Sequence, residues 1–268
     1  MHPLVVSSLL LLVAADPLPI QKPLREERLR ELSDHVRQAT VEVAARKLVG
    51  TKWLVSHGAG TILDASGLVL TCKHVVREYP TITITTHDGK EHAGKLLYQD
   101  EEVDLAILGF ESTEIYPTIE LARRRKVSPG EFALYAGYPE RGQRLLSRGR
   151  IMGTSDRVEL STIAMGTKLL RFSGLVETGF SGGPIVSLEG KLLGVVAARG
   201  RLDHEIGYAV PANLVLKSLE RHLSSVPGDR VSGQDAQELL ALRDLIPQTS
   251  APSREQVRPA SSTRLVSK

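Results

Sequence analysis

Apolar and polar residues alternate in many short stretches along the middle of the chain. Thr40 to Ala44 and Thr81 to Thr85 alternate with the period of two that is typical of half-buried strands. Asp88-Gly89 predicts a turn from the second of these stretches into a further strand. More short apolar runs, separated by glycine-rich turns, are Gly60 to Leu63, Leu68 to Thr71, Leu105 to Phe110, Phe132 to Ala136, Leu169 to Phe172, Pro184 to Val186 and Leu192 to Ala198. Many short strands and few helices predict an all-β fold, either a sandwich or a barrel.

Helical periodicity is confined to the two ends of this strand region. Pro23 to Gln38 places its leucines near one face and its charges on the other, and Ala212 to Leu223 is an amphipathic closing helix. We expect Ala236 to Ile246 to form one more helix. Pro247 to Lys268 has too few apolar residues to bury and is expected to be disordered.

The first fifteen residues have the pattern of a signal peptide. An uncharged apolar run from Leu4 to Val13 precedes Ala14-Ala15, which suits a cleavage site, although no Lys or Arg comes before the run. The run is shorter than the ~20 apolar residues that a membrane-spanning helix needs. We therefore expect a periplasmic or secreted chain that keeps no stable membrane span after removal of the leader.

Composition adds three constraints. The net charge of +3 comes without a cluster of cations and aromatics, so nucleic acid is not an expected partner, and the Arg123 to Lys126 run is interpreted as a solvated connection between lobes. Cys72 is the only cysteine, which rules out an intramolecular disulfide. Trp53, the only tryptophan, is expected to cover an apolar surface near the first lobe.

A candidate nucleophile lies in Gly179 to Pro184, where Ser181 is surrounded by glycines. Glycines permit the sharp bend that exposes the serine Oγ and turns backbone N–H groups toward an oxyanion. The alternative interpretation is a glycine-rich hairpin loop.

Two further residues could complete a catalytic triad. His74 follows an apolar strand and could act as general base, although such a histidine is more often a packed core residue. Asp104 starts another apolar strand, where a carboxylate needs a partner such as an imidazole, whereas Asp100, Glu101 and Glu102 are expected to face water. Cys72 beside His74 could suggest a metal, but no second His stands at ligand spacing, so no metal or other cofactor is predicted.

The order His74, Asp104, Ser181 and the segments around them resemble the HtrA/Deg branch of the trypsin-like serine peptidases. The matching segments are Gly58 to Val76, Val103 to Ala106, Ala136 to Pro139, Gly179 to Pro184 and Gly207 to Asn213. The resemblance implies two Greek-key β-barrels, with His74 and Asp104 on the first and Ser181 on the second. It also implies an oxyanion hole formed by the N–H groups of Gly179 and Ser181.

These patterns together give a domain organisation. We expect a signal peptide at 1–15, an N-terminal helical segment at 16–38, a protease domain at 39–225 and a tail at 226–268. Within the protease domain the barrels take about 39–125 and 126–211, and the closing helix takes 212–223.

The chain departs from the family pattern in three respects. We expect no peptide-binding PDZ domain after Leu223, because the residues that follow in this sequence are too few for one. Phe180 stands where the branch usually has Asn and the digestive enzymes have Asp, so activation by an N-terminus freed from a zymogen is not expected, and the conformation of the loop is left open. The N-terminal segment lacks the aromatic residues that the family uses to trimerise, which leaves a homo-oligomer compatible with the sequence but not predicted.

The resemblance also places a substrate pocket. Its expected walls are Leu175 and Val176 before the nucleophile and Val196, Ala197 and Ala198 on a neighbouring strand. These residues offer no anion to a basic side chain, so we predict cleavage after small or medium apolar residues. The expected activity is that of a serine endopeptidase acting on unfolded polypeptides in envelope quality control.

Two other functions fit parts of the pattern. Gly179-x-Ser181-x-Gly183 also matches the nucleophile elbow of α/β-hydrolases, with Asp203 and His222 as nominal partners, but that elbow needs a helix directly after the serine. The residues from Pro184 predict a strand and turn instead, so this function is rejected. The other alternative is a latent or non-catalytic protease-fold module that binds peptides, and the sequence leaves it open.

Overall fold

The computed structural model describes residues 26–122, 126–140, 142–155, 160–200, 205–225 and 240–246. In these ranges the chain forms two closed antiparallel β-barrels of six strands each, with helices at both ends. The prediction of an all-β fold built from two barrels is confirmed.

The first barrel is built from the amino-terminal half of the chain. Its strands are β1 (Thr40–Val49), β2 (Lys52–Ile62), β3 (Leu68–Cys72), β4 (Thr81–Thr85), β5 (Glu91–Asp100) and β6 (Leu105–Gly109). They close in the order β1-β2-β3-β6-β5-β4. Because β3 pairs with β6 and not with β4, the last four strands form a Greek key.

The second barrel repeats this arrangement. Its strands are β7 (Phe132–Glu140), β8 (Gln143–Ser155), β9 (Leu169–Ser173), β10 (Pro184–Ser187), β11 (Leu192–Arg199) and β12 (Ile206–Pro211). They close in the order β10-β11-β12-β9-β8-β7, which is again a Greek key.

Three helices accompany the barrels: α1 (Glu26–Gln38), α2 (Lys73–Val76) and α3 (Ala212–Ser225). Val36 of α1 is buried, while residues before Glu26 lie outside the described part of the chain. Residues 240–244 are also helical, and Leu242 is buried against the core. The signal peptide, the predicted disordered tail and most of the basic run fall outside the described residues.

The interior of both barrels consists mainly of Val, Leu, Ile and Ala, as the low aromatic content requires. The second barrel adds a cluster of three buried rings, in which the Tyr135 centroid lies 5.1 Å from Phe172 and 5.7 Å from Phe180. No helix within the described ranges is long and apolar enough to cross a membrane.

The sequence patterns missed two strands, β8 and β12, and underestimated a hairpin. β12 falls in the Gly207 to Asn213 segment, which was recognised as a family motif and not as a strand. β8 was not predicted because three arginines interrupt its apolar residues, so that no clear alternation results. The hairpin of β1 and β2 extends to Val49 and Lys52, several residues beyond the predicted strand ends. The expectation for Trp53 is wrong, because this side chain lies near the end of that hairpin and is 61% exposed.

Candidate active site

His74 and Asp104 meet at one end of the first barrel. His74 is the second residue of the short helix α2, which directly follows β3, and Asp104 closes the turn between β5 and β6. The His74 Nδ1 lies 2.7 Å from Asp104 Oδ2, and the His74 backbone N–H donates to Asp104 Oδ1 at 2.9 Å. Asp104 is fully buried, whereas a third of the His74 side chain (33%) is exposed. One carboxylate oxygen therefore holds the imidazole ring and the other holds the backbone of His74, while part of the ring stays accessible.

The backbone of Asp104 has a φ of 57°, which non-glycine residues seldom adopt. The neighbouring residues hold this turn in place. Asp100 Oδ1 accepts hydrogen bonds from the N–H groups of Glu102 (2.8 Å) and Val103 (3.3 Å). The Lys73 N–H donates to the Asp104 carbonyl at 3.1 Å, and the buried Lys73 Nζ donates to Glu101 Oε2 at 2.9 Å.

Asp100 also joins this turn to the carboxyl-terminal helix. Its Oδ2 accepts hydrogen bonds from Ser218 Oγ at 2.6 Å and from Arg221 Nη2 and Tyr98 Oη at 2.8 Å each. Burial acts to raise the pKa of the Asp100 carboxyl, but these hydrogen bonds, that of Ser218 above all, hold this pKa below its usual value. The expectation that Asp100 faces water is wrong, because only 4% of the residue is exposed.

The Ser181 loop of the second barrel contacts the strands that carry His74. The Ser181 carbonyl accepts a hydrogen bond from the Ala59 N–H of β2 at 2.8 Å. The Val196 carbonyl of β11 accepts from both the Gly182 N–H (2.8 Å) and the Cys72 Sγ (3.2 Å). A Cβ on Gly182 would lie 3.1 Å from the Cys72 nitrogen, two residues before His74. The structure thus brings the serine loop against the end of β3, and Ser181 itself is half-buried.

The segment from Ala136 to Pro139 shapes the backbone just before the serine. The Tyr138 N–H donates to the Gly179 carbonyl at 3.1 Å, and Gly179 has a φ of 97°. A Cβ on Gly179 would lie 1.9 Å from the Tyr138 carbonyl oxygen, so only glycine fits there. This contact gives a physical reason for a glycine two residues before Ser181.

Phe180 points into the core of the second barrel and is fully buried. A Cβ on Gly137 would lie 2.6 Å from the Phe180 Cα and 2.7 Å from its ring, so Gly137 provides the space for this side chain. Phe180 therefore anchors the loop by apolar packing.

Of the residues predicted to line the substrate pocket, Leu175 and Val176 precede the Ser181 loop in the chain, and the other three lie on β11. Val176, Val196 and Ala197 are buried, Ala198 is half-buried, and Leu175 is 52% exposed. None of the five carries a charge.

Cys72, His74 and Asp104 each place one potential ligand atom within 4.8 Å of the others. Burial, followed by the negative charge of Asp104, raises the pKa of the Cys72 thiol well above its usual value. Metals bind the thiolate, and the His74 ring nitrogen that faces Asp104 is already hydrogen-bonded. The chemistry of this cluster therefore favours a hydrogen-bonded His–Asp pair over a metal site.

Two six-stranded barrels with a His–Asp pair on the first and a glycine-flanked serine on the second define the class of trypsin-like folds. The family model of the trypsin-like peptidase domain matches residues 58–195, just over half of the chain. The chain belongs to this family.

The relatives of the chain are HtrA/Deg proteins, as its motifs predict. It is 32% identical to "Putative protease Do-like 14" of Arabidopsis thaliana over 181 residues, covering 63% of the chain and 42% of the relative. It is 30% identical to "Periplasmic pH-dependent serine endoprotease DegQ" of Escherichia coli K12 over 161 residues, covering 59% and 35%. The chain thus spans less than half the length of these relatives.

A solved structure agrees in fold. The serine endoprotease from Yersinia pestis superposes with a TM-score of 0.63 at 24% identity, covering 76% of this chain and 69% of that one.

Sequence reasoning did not find the residues that support the site from a distance. These residues are Asp100, Lys73 and Ser218. Glu42 was also not predicted, and it joins the two barrels: its carboxylate lies 2.8 Å from His57 Nε2 and accepts from the Gly142 N–H of the second barrel at 3.0 Å. No local pattern marks these residues, because each acts through a partner that is distant in the sequence.

Proposed function

We propose that the chain is a serine endopeptidase in which Ser181 is the nucleophile, His74 the general base and Asp104 the residue that orients it. The observation that carries this proposal is the fully buried Asp104 carboxylate, bonded to both the ring and the backbone of His74. His74 would take the Ser181 proton as Oγ attacks the peptide carbonyl, and would then donate it to the leaving amine. Asp104 would stabilise the imidazolium formed between these steps.

Gly179 and Ser181 would supply the oxyanion hole. Among the described residues, neither backbone N–H donates a hydrogen bond to a protein acceptor. Both groups are thus free for the oxygen of a tetrahedral intermediate, which such donors stabilise more strongly than the ground-state carbonyl.

The uncharged pocket residues support cleavage after small or medium apolar residues. Leu175, Val176, Val196, Ala197 and Ala198 offer no carboxylate that could pair with a Lys or Arg side chain. Digestion of a peptide library tests this specificity, and a strong preference for Arg would contradict it.

The substrate class and compartment follow from the relatives and the leader. The relatives are named as proteases, and DegQ as periplasmic. We infer that this chain acts on unfolded polypeptides in the envelope, where the predicted signal peptide would deliver it.

Labelling with a fluorophosphonate tests the proposed triad. Ser181 of the wild type is expected to be labelled covalently, and the label is expected to vanish in Ser181→Ala and His74→Ala. Ser66→Ala and His35→Ala, which change surface residues of the same two types, should leave it intact. If a folded wild type shows no labelling, the proposed activity is wrong, and a peptide-binding module becomes the better description.

A further inference from the structure

The outer end of the β1–β2 hairpin carries an uncovered apolar surface. We call residues 46–55 the outer ribbon, since here the two strands continue to their connecting turn. Five large apolar side chains of the outer ribbon are each between 44% and 61% exposed: Leu48, Val49, Trp53, Leu54 and Val55. Such a concentration of exposed apolar residues in a short segment marks an interaction site.

Apolar residues occupy both faces of the outer ribbon. Directly paired residues share a face of an antiparallel ribbon, and successive pairs alternate between the two faces. Leu48 pairs with Trp53 on one face, and Lys47 pairs with Leu54 on the other. A flat protein surface could cover only one of these faces, whereas a fluid apolar medium would surround both.

The outer ribbon extends beyond the wall of the first barrel. β4 pairs with β1 only over Glu42 to Arg46, and β3 pairs with β2 only at Thr61 and Ile62. The three β1 residues beyond Arg46, with the turn, therefore project by roughly 10 Å at about 3.3 Å per residue.

The charge of the outer ribbon is positive. It contains Arg46, Lys47 and Lys52, and the sequence has no acidic residue between Glu42 and Asp64. One acid reaches it from outside, since Glu78 lies 3.6 Å from Lys47 Nζ. Exposed tryptophan beside lysine is the combination that favours the interface between an anionic bilayer and water.

We propose that the outer ribbon inserts into the headgroup region of an anionic lipid bilayer and holds the protein at the membrane surface. Its projection of roughly 10 Å matches the ~5–10 Å to which interfacial elements penetrate. Trp53, Leu54 and Leu48 enter the apolar boundary. Lys47 contacts lipid phosphates directly, and the long side chain of Lys52, which pairs with Val49 at the tip, extends back toward them. This inference is independent of the proposed peptidase activity.

The same strand links the outer ribbon to the candidate active site. β2 runs from Trp53 to Gly58 and Ala59, and the latter contacts the Ser181 carbonyl. The six residue steps from Trp53 to Ala59 cover about 20 Å. Insertion would therefore hold the Ser181 loop close to the membrane surface.

A second copy of the chain is the rival occupant, because the outer edge of β2 has unpaired backbone along the ribbon. Lys52 on this edge opposes such pairing, since a lysine on an edge strand discourages addition of another strand. The two-faced apolar surface also favours lipid over one flat protein partner.

The fluorescence of Trp53 provides a direct test, because it is the only tryptophan in the chain. With vesicles of phosphatidylcholine and phosphatidylglycerol, its emission should shift to the blue and resist quenching by acrylamide. Lys52→Glu should lower the vesicle partition coefficient by roughly tenfold or more, since each cation near an anionic leaflet contributes about a fivefold factor. Lys217→Glu, the same change at an exposed position on α3, should not.

The contribution of apolar side chains to vesicle binding is measured with Leu54→Ser, which keeps Trp53 as the fluorophore. This variant should also bind at least about tenfold more weakly, whereas Ile115→Ser, at a residue 84% exposed elsewhere, should bind like the wild type.

Three results would overturn the proposal. One is an unchanged Trp53 emission at excess lipid, and another is equal binding to neutral and anionic vesicles. The third is a dimer without lipid, seen by sedimentation and lost in Trp53→Ser, which would assign the outer ribbon to contact between copies.

Discussion

At the scale of single residues, Asp104 combines a buried charge with an unusual backbone conformation. Asn tolerates a positive φ nearly as well as Asp, so Asp104→Asn should keep the turn intact. The amide would, however, favour the wrong tautomer of His74. We expect kcat for peptide hydrolysis to fall by about 10³–10⁴ while the fold is retained. Steady-state kinetics and circular dichroism measure the two effects.

Asp88→Asn is the matched control for this experiment. Asp88 lies exposed in the turn between β4 and β5, so its replacement should leave kcat unchanged. A wild-type rate in Asp104→Asn would show that Asp104 does not orient the general base.

Phe180 provides a second prediction at this scale. Its side chain fills space beside Gly137 and Tyr135, and Phe180→Ala would leave a cavity there. We expect the free energy of unfolding to fall by about 3–5 kcal/mol in urea denaturation. Leu175→Ala in the same loop, at an exposed residue, should change it by less than about 0.5 kcal/mol. Equal effects would contradict an anchoring role for the Phe180 ring.

Individual residues also show which parts of the candidate site could be predicted from the sequence and which could not. His74 and Asp104 could be recognised, because each stands in a local motif, and the structure joins them by hydrogen bonds. Asp100 could not be distinguished from Glu101 and Glu102, since its burial depends on Ser218 and Arg221 of a helix more than a hundred residues later. Short alternating strands predicted the barrels, whereas β8 and the outer ribbon do not follow that alternation.

At the scale of secondary-structure elements, α3 supports the turn that ends at Asp104. Ser218→Ala removes the 2.6 Å hydrogen bond to Asp100 and should destabilise the fold by about 1–2 kcal/mol. Because Asp100 holds the turn that carries Asp104, kcat should also fall several-fold, with little change in KM.

Ser224→Ala is a control on the same helix. Among the residues that the structure describes, the Ser224 hydroxyl bonds only within α3, to the Glu220 carbonyl at 2.8 Å, and it is exposed. If both variants alter kcat equally, the Asp100 contact does not position the catalytic turn.

The contact of α3 with Asp100 should also depend on pH. The Asp100 pKa is lowered in the folded chain, so its ionised form stabilises the fold above the ordinary value of about 3.9. This contribution is lost as the pH falls through the lowered folded pKa. The stability deficit of Asp100→Asn should therefore be largest near pH 7 and shrink below about pH 4. Urea titrations at several pH values measure it, and a deficit that does not vary with pH would contradict this account.

At the scale of the whole molecule, two barrels are stabilised without a disulfide. The single cysteine, Cys72, is fully buried and hydrogen-bonded to the Val196 carbonyl of the other barrel. The midpoint of thermal unfolding should therefore be the same with and without dithiothreitol. A lower midpoint under reducing conditions would reveal a covalent link between chains.

The burial of the Cys72 thiol has a practical consequence for measuring motion between the barrels. Maleimides react with exposed thiolates, and Cys72 is neither exposed nor readily ionised. Cysteines introduced on the two barrel surfaces would thus be the only attachment points for a donor and an acceptor dye. The wild-type sequence is already a suitable background for single-molecule energy transfer between the two barrels.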